Sequence, residues 1–119
     1  MPANGLNVTN SYEYVICFGI WLKSNKTYTK NTLTTSVANM HKEHRAVMNQ
    51  DVSDFFIENF TQKGDTILDC FGGLGTTAIS ALKYKRNYIL IEKEAKYVEI
   101  ARNRIQQFAN SQTNSLFNL

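Results

Sequence analysis

Proline is all but missing. Pro2 is the only one in 119 residues, so any functional motif that requires a proline is excluded beyond that position. Cysteine is nearly as scarce. Cys17 and Cys70 form no C-x-x-C pair, so nothing in the pattern supports a disulfide, and their apolar contexts predict two buried free thiols. Histidine occurs twice, as His41 and His44 beside Glu43. No further spaced Cys, His or Asp cluster joins that i, i+3 pair, and no metal site is expected from it. No apolar run is long enough to span a membrane, and Met1-Pro2-Ala3-Asn4-Gly5 has neither the charged nor the apolar region of a signal peptide. A soluble, cytoplasmic protein is the expectation. A strong excess of either charge is also missing, with 13 basic against 10 acidic residues. A net charge of +3 permits contact with DNA without arguing for it.

What is there is enough for a core. At 43% hydrophobic and 12% aromatic, a chain of this length reads as one folded domain, 1–119, and not as a disordered segment. Its organising stretch is Thr66-Ile67-Leu68-Asp69-Cys70-Phe71-Gly72-Gly73-Leu74-Gly75-Thr76-Thr77. Gly64-Asp65 supplies turn chemistry, Ile67 and Leu68 a short strand ending in an acid, and Ala78 to Leu82 a helix. A second strand, Tyr88 to Ile91, ends in Glu92, giving a β-α-β unit. Glycines at such a turn let a ligand approach the backbone, and an acid at the second strand tip is placed to accept hydrogen bonds from ribose hydroxyls. The window Gly73 to Ala78 also fits the dinucleotide pattern G-x-G-x-x-A, a weak signal by itself. Asp69 and Phe71 just before the glycines suit a ligand with positive charge, such as the amino and sulfonium groups of S-adenosylmethionine, better than a pyrophosphate.

The run Asp69 to Thr77 resembles the D-P-F-x-G-S-G-T-T cofactor motif of the amino-group DNA methyltransferases, which methylate adenine N6 or cytosine N4. His44-Arg45-Ala46-Val47-Met48 is similar to the H-x-A-x-F segment that precedes this motif in the permuted, β-class-like members. Tyr88 to Glu92, Tyr97, Ala101 and Arg104-Ile105 follow the pattern I-E-x-x-x-x-Y-x-x-x-A-x-x-R-I. The resemblance runs from about Ser11 to Gln106. Two departures lie in the loop, where Cys70 stands for the family's Pro and Leu74 for its Ser. A third is an absence: the catalytic tetrapeptide D-P-P-Y has no counterpart.

The resemblance implies an α/β fold: part of a Rossmann-like S-adenosylmethionine methyltransferase sheet with flanking helices, lacking the strands that carry the catalytic motif. It implies a cofactor site of His44, Ala46, Asp69, Cys70, Phe71, Gly72, Gly73, Gly75, Thr76, Thr77, Glu92 and Lys93, with no catalytic residue. Asp69 would reach the methionine amino group, Glu92 the ribose hydroxyls and Lys93 the border of the adenine. His44 and Ala46 would line the methionine end. For Asp69 the bland alternative is a cap on the following turn, and for Glu92 a surface acid.

Along the rest of the chain, residues 1–10 read as a loose lead-in. Residues 11–22 read as a strand centred on Tyr12 to Phe18, which in the family edges the catalytic sheet and has a hairpin neighbour before it. Lys23 to Asn39 reads as a solvated loop, with Lys23, Lys26, Lys30 and Tyr28 as a weaker candidate for tracking a DNA backbone. Residues 40–60 form a cofactor-flanking segment and a helix over 51–60 with Val52, Phe55, Phe56 and Phe60 as its core face. The cofactor-binding unit spans 64–110 and ends in the longest helix, from Lys93 to about Asn110. The tail, 111–119, reads as polar and frayed, with Leu116, Phe117 and Leu119 free to fold back or to serve a partner.

Three readings of function stay open. The chain is the cofactor-binding part of a DNA methyltransferase, of a restriction-modification or phage-type system. It would act on DNA once completed by a catalytic partner chain or by homo-oligomerisation, and be inactive alone. Alternatively it is a truncated, inactive homologue acting as a binding or assembly module. The third reading is an unrelated nucleotide-binding β-α-β protein.

Overall fold

The computed structural model describes residues 14–19, 32–35 and 47–117. Five elements follow in order: α1 (Gln50–Phe60), β1 (Thr66–Asp69), α2 (Thr76–Lys83), β2 (Asn87–Leu90) and α3 (Ala95–Phe117). The strands pair in parallel, Thr66 opposite Asn87 through Asp69 opposite Leu90, with α2 as the crossover. This is the expected β-α-β unit, and the fold is α/β. Its tight returns use left-handed backbone at Gly64, with φ of 89°, and at Lys85, with φ of 62°.

Helix α1 starts where Asn49 caps it: the Asn49 side chain accepts the Asp51 N–H at 2.8 Å, and Asp51 places an acid in the first turn. Helix α2 is the hub, packing against α1, α3 and both strands. Ala78, Ser80 and Ala81 are wholly buried along it. Side chains this small let four elements approach one helix closely.

The buried face of α1 differs from the expected one. Val52, Phe55, Phe56 and Phe60 are only half-buried, and the face turned inward carries Ser53, Asp54, Ile57 and Asn59. The three phenylalanines pack on one another instead, with centroids 5.3 to 6.4 Å apart. The reason lies across the interface. Asp54 Oδ1 accepts from the Ser80 hydroxyl at 2.6 Å, and Asp54 Oδ2 from Lys83 Nζ at 2.5 Å. Gln50 Nε2 donates to Ser80 Oγ at 2.5 Å and to the Thr76 carbonyl at 3.2 Å. A satisfied polar seam outranks the aromatic stripe for contact with α2.

Burial alone pushes the Asp54 carboxyl upward. Hydrogen bonds from Lys83, Ser80 and Gln50 and the Lys83 charge outweigh it, holding the group below its usual value. The Lys83 ammonium is held above its ordinary value, chiefly by the Asp54 bond. Burial likewise pushes the Tyr84 phenol upward.

A second polar knot closes the other end of α1 and α2. Arg86 is buried, and its guanidinium donates to Thr61 Oγ1 at 2.8 Å, to the Thr61 carbonyl and to the Tyr84 carbonyl. The last carbonyls of two helices thus share one cation, where the helix dipole favours positive charge.

The sheet buries one face. Ile67, Asp69, Tyr88 and Leu90 are half-buried, whereas Leu68 and Ile89 are exposed, and Ile91 beyond β2 is 53% exposed. Among the described residues no second layer covers that outer face.

Three further expectations differ. Both thiols, Cys17 and Cys70, are free and exposed. Residues 14–18 of the expected strand are exposed and unpaired with β1 or β2, because a strand forms only where a ladder partner takes its backbone groups. Residues 111–117 are helical and extend α3 to Phe117. No Gly or Pro stops the helix there, and Ser111 and Thr113 hydroxyls bond back to the Phe108 and Ala109 carbonyls. The readings placed on residues 1–13, 20–31 and 36–46, among them the pair His41 and His44, lie outside the described residues.

Candidate functional site

The glycine loop between β1 and α2 is tied down from both strand tips. Asp69 ends β1, and its Oδ1 accepts the Phe71 N–H at 2.9 Å while its Oδ2 accepts the Thr77 hydroxyl at 2.6 Å. Glu92, two residues past β2, accepts the Gly73 N–H on Oε2 at 2.9 Å and the Glu94 N–H on Oε1 at 2.9 Å. The two acids therefore grip loop amides two positions apart. Backbone bonds from Ile91 N–H to the Asp69 carbonyl and from Gly72 N–H to the Ile91 carbonyl, both 2.9 Å, carry the strand pairing into the loop.

Crowding favours glycine at two of these positions. A Cβ on Gly72 would meet Leu90 Cβ at 3.1 Å. Gly75 caps α2 with φ of 83°, and a Cβ there would meet Ala101 Cβ and Ile105 Cδ1, each at 3.2 Å. Gly75 also turns its N–H back to the Gly72 carbonyl at 2.9 Å, closing the loop. Leu74, where a serine was the family expectation, is 4% exposed and serves as core. Its carbonyl accepts from Arg104 Nη1 at 2.5 Å. Burial pushes the Arg104 guanidinium below its ordinary value.

Beside this loop lies a groove of about 480 Å³ lined by Gly72, Gly73, Glu92, the β2 residues Tyr88 and Leu90 with Ile91, and the α3 residues Val98, Ala101, Arg102 and Ile105. That volume is within the usual range of small-molecule sites, about 300–1,000 Å³. Its wall is mostly apolar, and Tyr88, Glu92 and Arg102 are the lining residues with polar side-chain groups.

Of the residues expected at the site, the structure brings Gly72, Gly73 and Glu92 onto the groove. Asp69, Cys70, Phe71, Gly75, Thr76 and Thr77 form the loop and helix start behind or beside it. Cys70 and Phe71 point outward, Phe71 with 91% of its surface exposed, and Thr76 is buried. Lys93 is exposed next to Glu92. His44 and Ala46 lie outside the described residues. No group of three or more metal-ligating side chains occurs among the described residues.

Sequence reasoning passed over Arg104 as a loop contact, although the A-x-x-R-I signature had marked the position. Its partner lies 30 residues earlier, a separation that periodicity does not reveal. Arg86 and the Asp54 seam were missed for the same reason.

Residues 3–103 match the family model described as DNA methylase. The chain belongs to the DNA methylase family. A 52-residue stretch of this chain is 54% identical to the type II methyltransferase M.BglI of Bacillus subtilis, covering 44% of this chain and 15% of that protein. Over 96 residues it is 30% identical to the orphan methyltransferase M.BamHII of Bacillus amyloliquefaciens, covering 81% of this chain and 34% of that one. Among solved structures, the M1.HpyAVI–SAM complex superimposes with a TM-score of 0.59 at 28% identity, covering 68% of this chain and 40% of that chain. The chain thus spans about a third or less of the curated relatives' length.

Proposed function

We propose that this methylase chain is the S-adenosylmethionine-binding part of an amino-group DNA methyltransferase acting on adenine N6 or cytosine N4, within a restriction-modification or phage-type system. One observation carries the reading: two strand-tip acids, Asp69 and Glu92, grip alternate amides of one glycine loop beside an apolar groove. The residues present fit the cofactor. A nucleoside wants a flat apolar wall with one acceptor for its ribose hydroxyls, and Glu92 is the carboxylate on that wall. Asp69 spends one acceptor position of each oxygen on the loop; a carboxylate has about four, which leaves room for an ammonium. Lys93 would border the adenine; the resemblance assigns His44 and Ala46, which lie outside the described residues, to the methionine end.

The bound cofactor supplies an electrophilic sulfonium methyl group. This chain's residues position it. Gly72, Gly73 and Gly75 keep the loop backbone close to the ligand, with Thr76 and Thr77 opening α2 behind it. Correct placement alone turns a bimolecular displacement into a near-unimolecular one. The sequence carries no D-P-P-Y tetrapeptide to activate a target base, and in this reading the isolated chain is inactive. Activity on DNA requires a catalytic partner chain carrying a D-P-P-Y-type motif, or a second copy that completes the site. The exposed outer sheet face, with Leu68, Ile89 and Ile91, supports such a partner, since parallel sheets are ordinarily covered on both faces. The setting is cytoplasmic.

Calorimetric titration of the purified chain with S-adenosylmethionine and its demethylated product tests the reading. Saturable binding near one site per chain is expected, and methyl transfer to DNA only after a D-P-P-Y-bearing chain is added. A cooperatively folded chain that binds neither compound, alone or with that partner, refutes it.

A further inference from the structure

Helix α3 reaches the glycine loop through one face. Ala101, Arg104 and Ile105, spaced i, i+3, i+4, all meet the Leu74–Gly75 half of the loop. Ala101 Cβ and Ile105 Cδ1 close off the space beside the Gly75 Cα, and Arg104 Nη1 donates to the Leu74 carbonyl. The other half of the loop is held by Glu92 through the Gly73 N–H. The loop is therefore clamped between a carboxylate taking its N–H on one side and a guanidinium holding its carbonyl on the other.

We propose that Arg104 is a positioning residue for the cofactor loop: its bond to the Leu74 carbonyl fixes the peptide between Leu74 and Gly75. That in turn sets the direction of the Gly75 N–H, which belongs to the same peptide and donates to the carbonyl of Gly72, a residue lining the groove. This rests on the cofactor reading above and adds a residue outside the set expected to touch the ligand. The geometry favours positioning over mere stapling. The Leu74 carbonyl lies immediately before the α2 cap residue, and a rotated peptide there would turn Gly75 out of the left-handed cap conformation that starts the helix. Arg104 touches no groove surface, since the groove is lined from α3 by Val98, Ala101, Arg102 and Ile105. Its effect must pass through the loop.

Arg104→Met and Arg104→Lys in the full chain decide the matter, each measured by titration with the demethylated cofactor, thermal unfolding and amide hydrogen exchange. Arg104→Met is expected to weaken binding roughly tenfold or more, in line with losing one charged-donor hydrogen bond. Exchange at Gly75 should quicken, while Ala81, in the last turn of the hub helix, keeps its protection. Arg104→Lys, which retains one cationic donor, is expected to fall between the two. Binding within twofold of the parent chain in a folded Arg104→Met variant overturns the proposal, and so does faster exchange spread evenly over α2. If Arg104→Met does not fold, Arg104→Lys carries the test, and parent-like affinity overturns it. If the parent chain binds no cofactor, the site reading fails separately. Loop exchange then judges the clamp, unchanged exchange in the variants overturning it.

Discussion

Asp69 illustrates how one carboxylate has capacity for two jobs. Its carboxylate organises the loop by holding Phe71 N–H and Thr77 Oγ1, and by the proposed reading it also receives the ligand's ammonium. The bland role foreseen for it, capping the turn, is compatible with the functional one. Asp69→Ala and Glu92→Ala are each expected to weaken S-adenosylmethionine binding by about tenfold or more, since each removes charge-assisted bonds of about 1.5–3 kcal/mol. Far-UV circular dichroism should show the helices retained, because neither acid lies in the α1–α2 seam. Calorimetry checks the affinity, and unchanged affinity in both variants would sink the site assignment. At Gly75 the constraint is steric. Gly75→Ala combines a left-handed φ with a Cβ 3.2 Å from Ala101 and Ile105, and is expected to cost about 1–3 kcal/mol in urea unfolding. The same substitution at Gly73, where the nearest atom a Cβ would meet is 3.9 Å away, carries the φ penalty alone and should cost less.

At the scale of elements, the α1–α2 seam makes stability depend on pH. The Asp54 carboxyl is depressed in the fold, so its contribution is present above the unfolded value of 3.8 and is lost as pH falls through the lower native value. The Lys83 ammonium is raised, so its contribution is present below the unfolded 10.5 and is lost as pH rises through the higher native value. Urea midpoints of the parent chain are expected to decline as pH falls through the acidic side of Asp54, and the Asp54→Asn variant to show a flatter acid limb. The partners are unequal. Lys83 has 48% of its side chain exposed and Asp54 9%. Lys83→Met should therefore cost no more than about 1 kcal/mol. Asp54→Ala leaves Ser80 and Gln50 without their shared acceptor and should cost about 1–3 kcal/mol. Urea unfolding of the two single variants measures the difference, and a double-mutant cycle gives their coupling.

For the whole molecule, the two-stranded sheet explains the distribution of apolar surface. Leu68 is 60% exposed, Ile89 and Ile91 each 53%, and Phe71 91%, all on the outer face or the loop beside it. By the proposed reading this exposed apolar area is where a partner would dock. The isolated chain is expected to bind a hydrophobic dye and to self-associate at high concentration. A Leu68→Lys, Ile89→Lys double variant should reduce both while leaving the thermal midpoint within a few degrees. Dye fluorescence and sedimentation give the readout; an unaltered signal would place the exposed surface elsewhere.

Much of this architecture can be read from neighbouring residues. The strand from Thr66, the glycine turn, the helix at Thr76 and the second strand before Glu92 follow from local rules acting within about 25 residues: an apolar pair, a turn, a cap, an acid at a strand tip. That local grammar also carried the family assignment. Tertiary structure alone decided which side of α1 is buried, because a helical wheel ranks Phe55 and Phe56 above Asp54. Only the arrival of Ser80 and Lys83 from another helix reverses the order. It likewise decided that Arg86 joins two helix ends, that Arg104 meets a carbonyl in the glycine loop, and that Leu74 is core where a hydroxyl was expected. Each of these pairs residues far apart in the chain or on different elements. Hydrophobic periodicity reports how a segment faces the interior, whereas buried polar bonds report what it faces, and that depends on the partner.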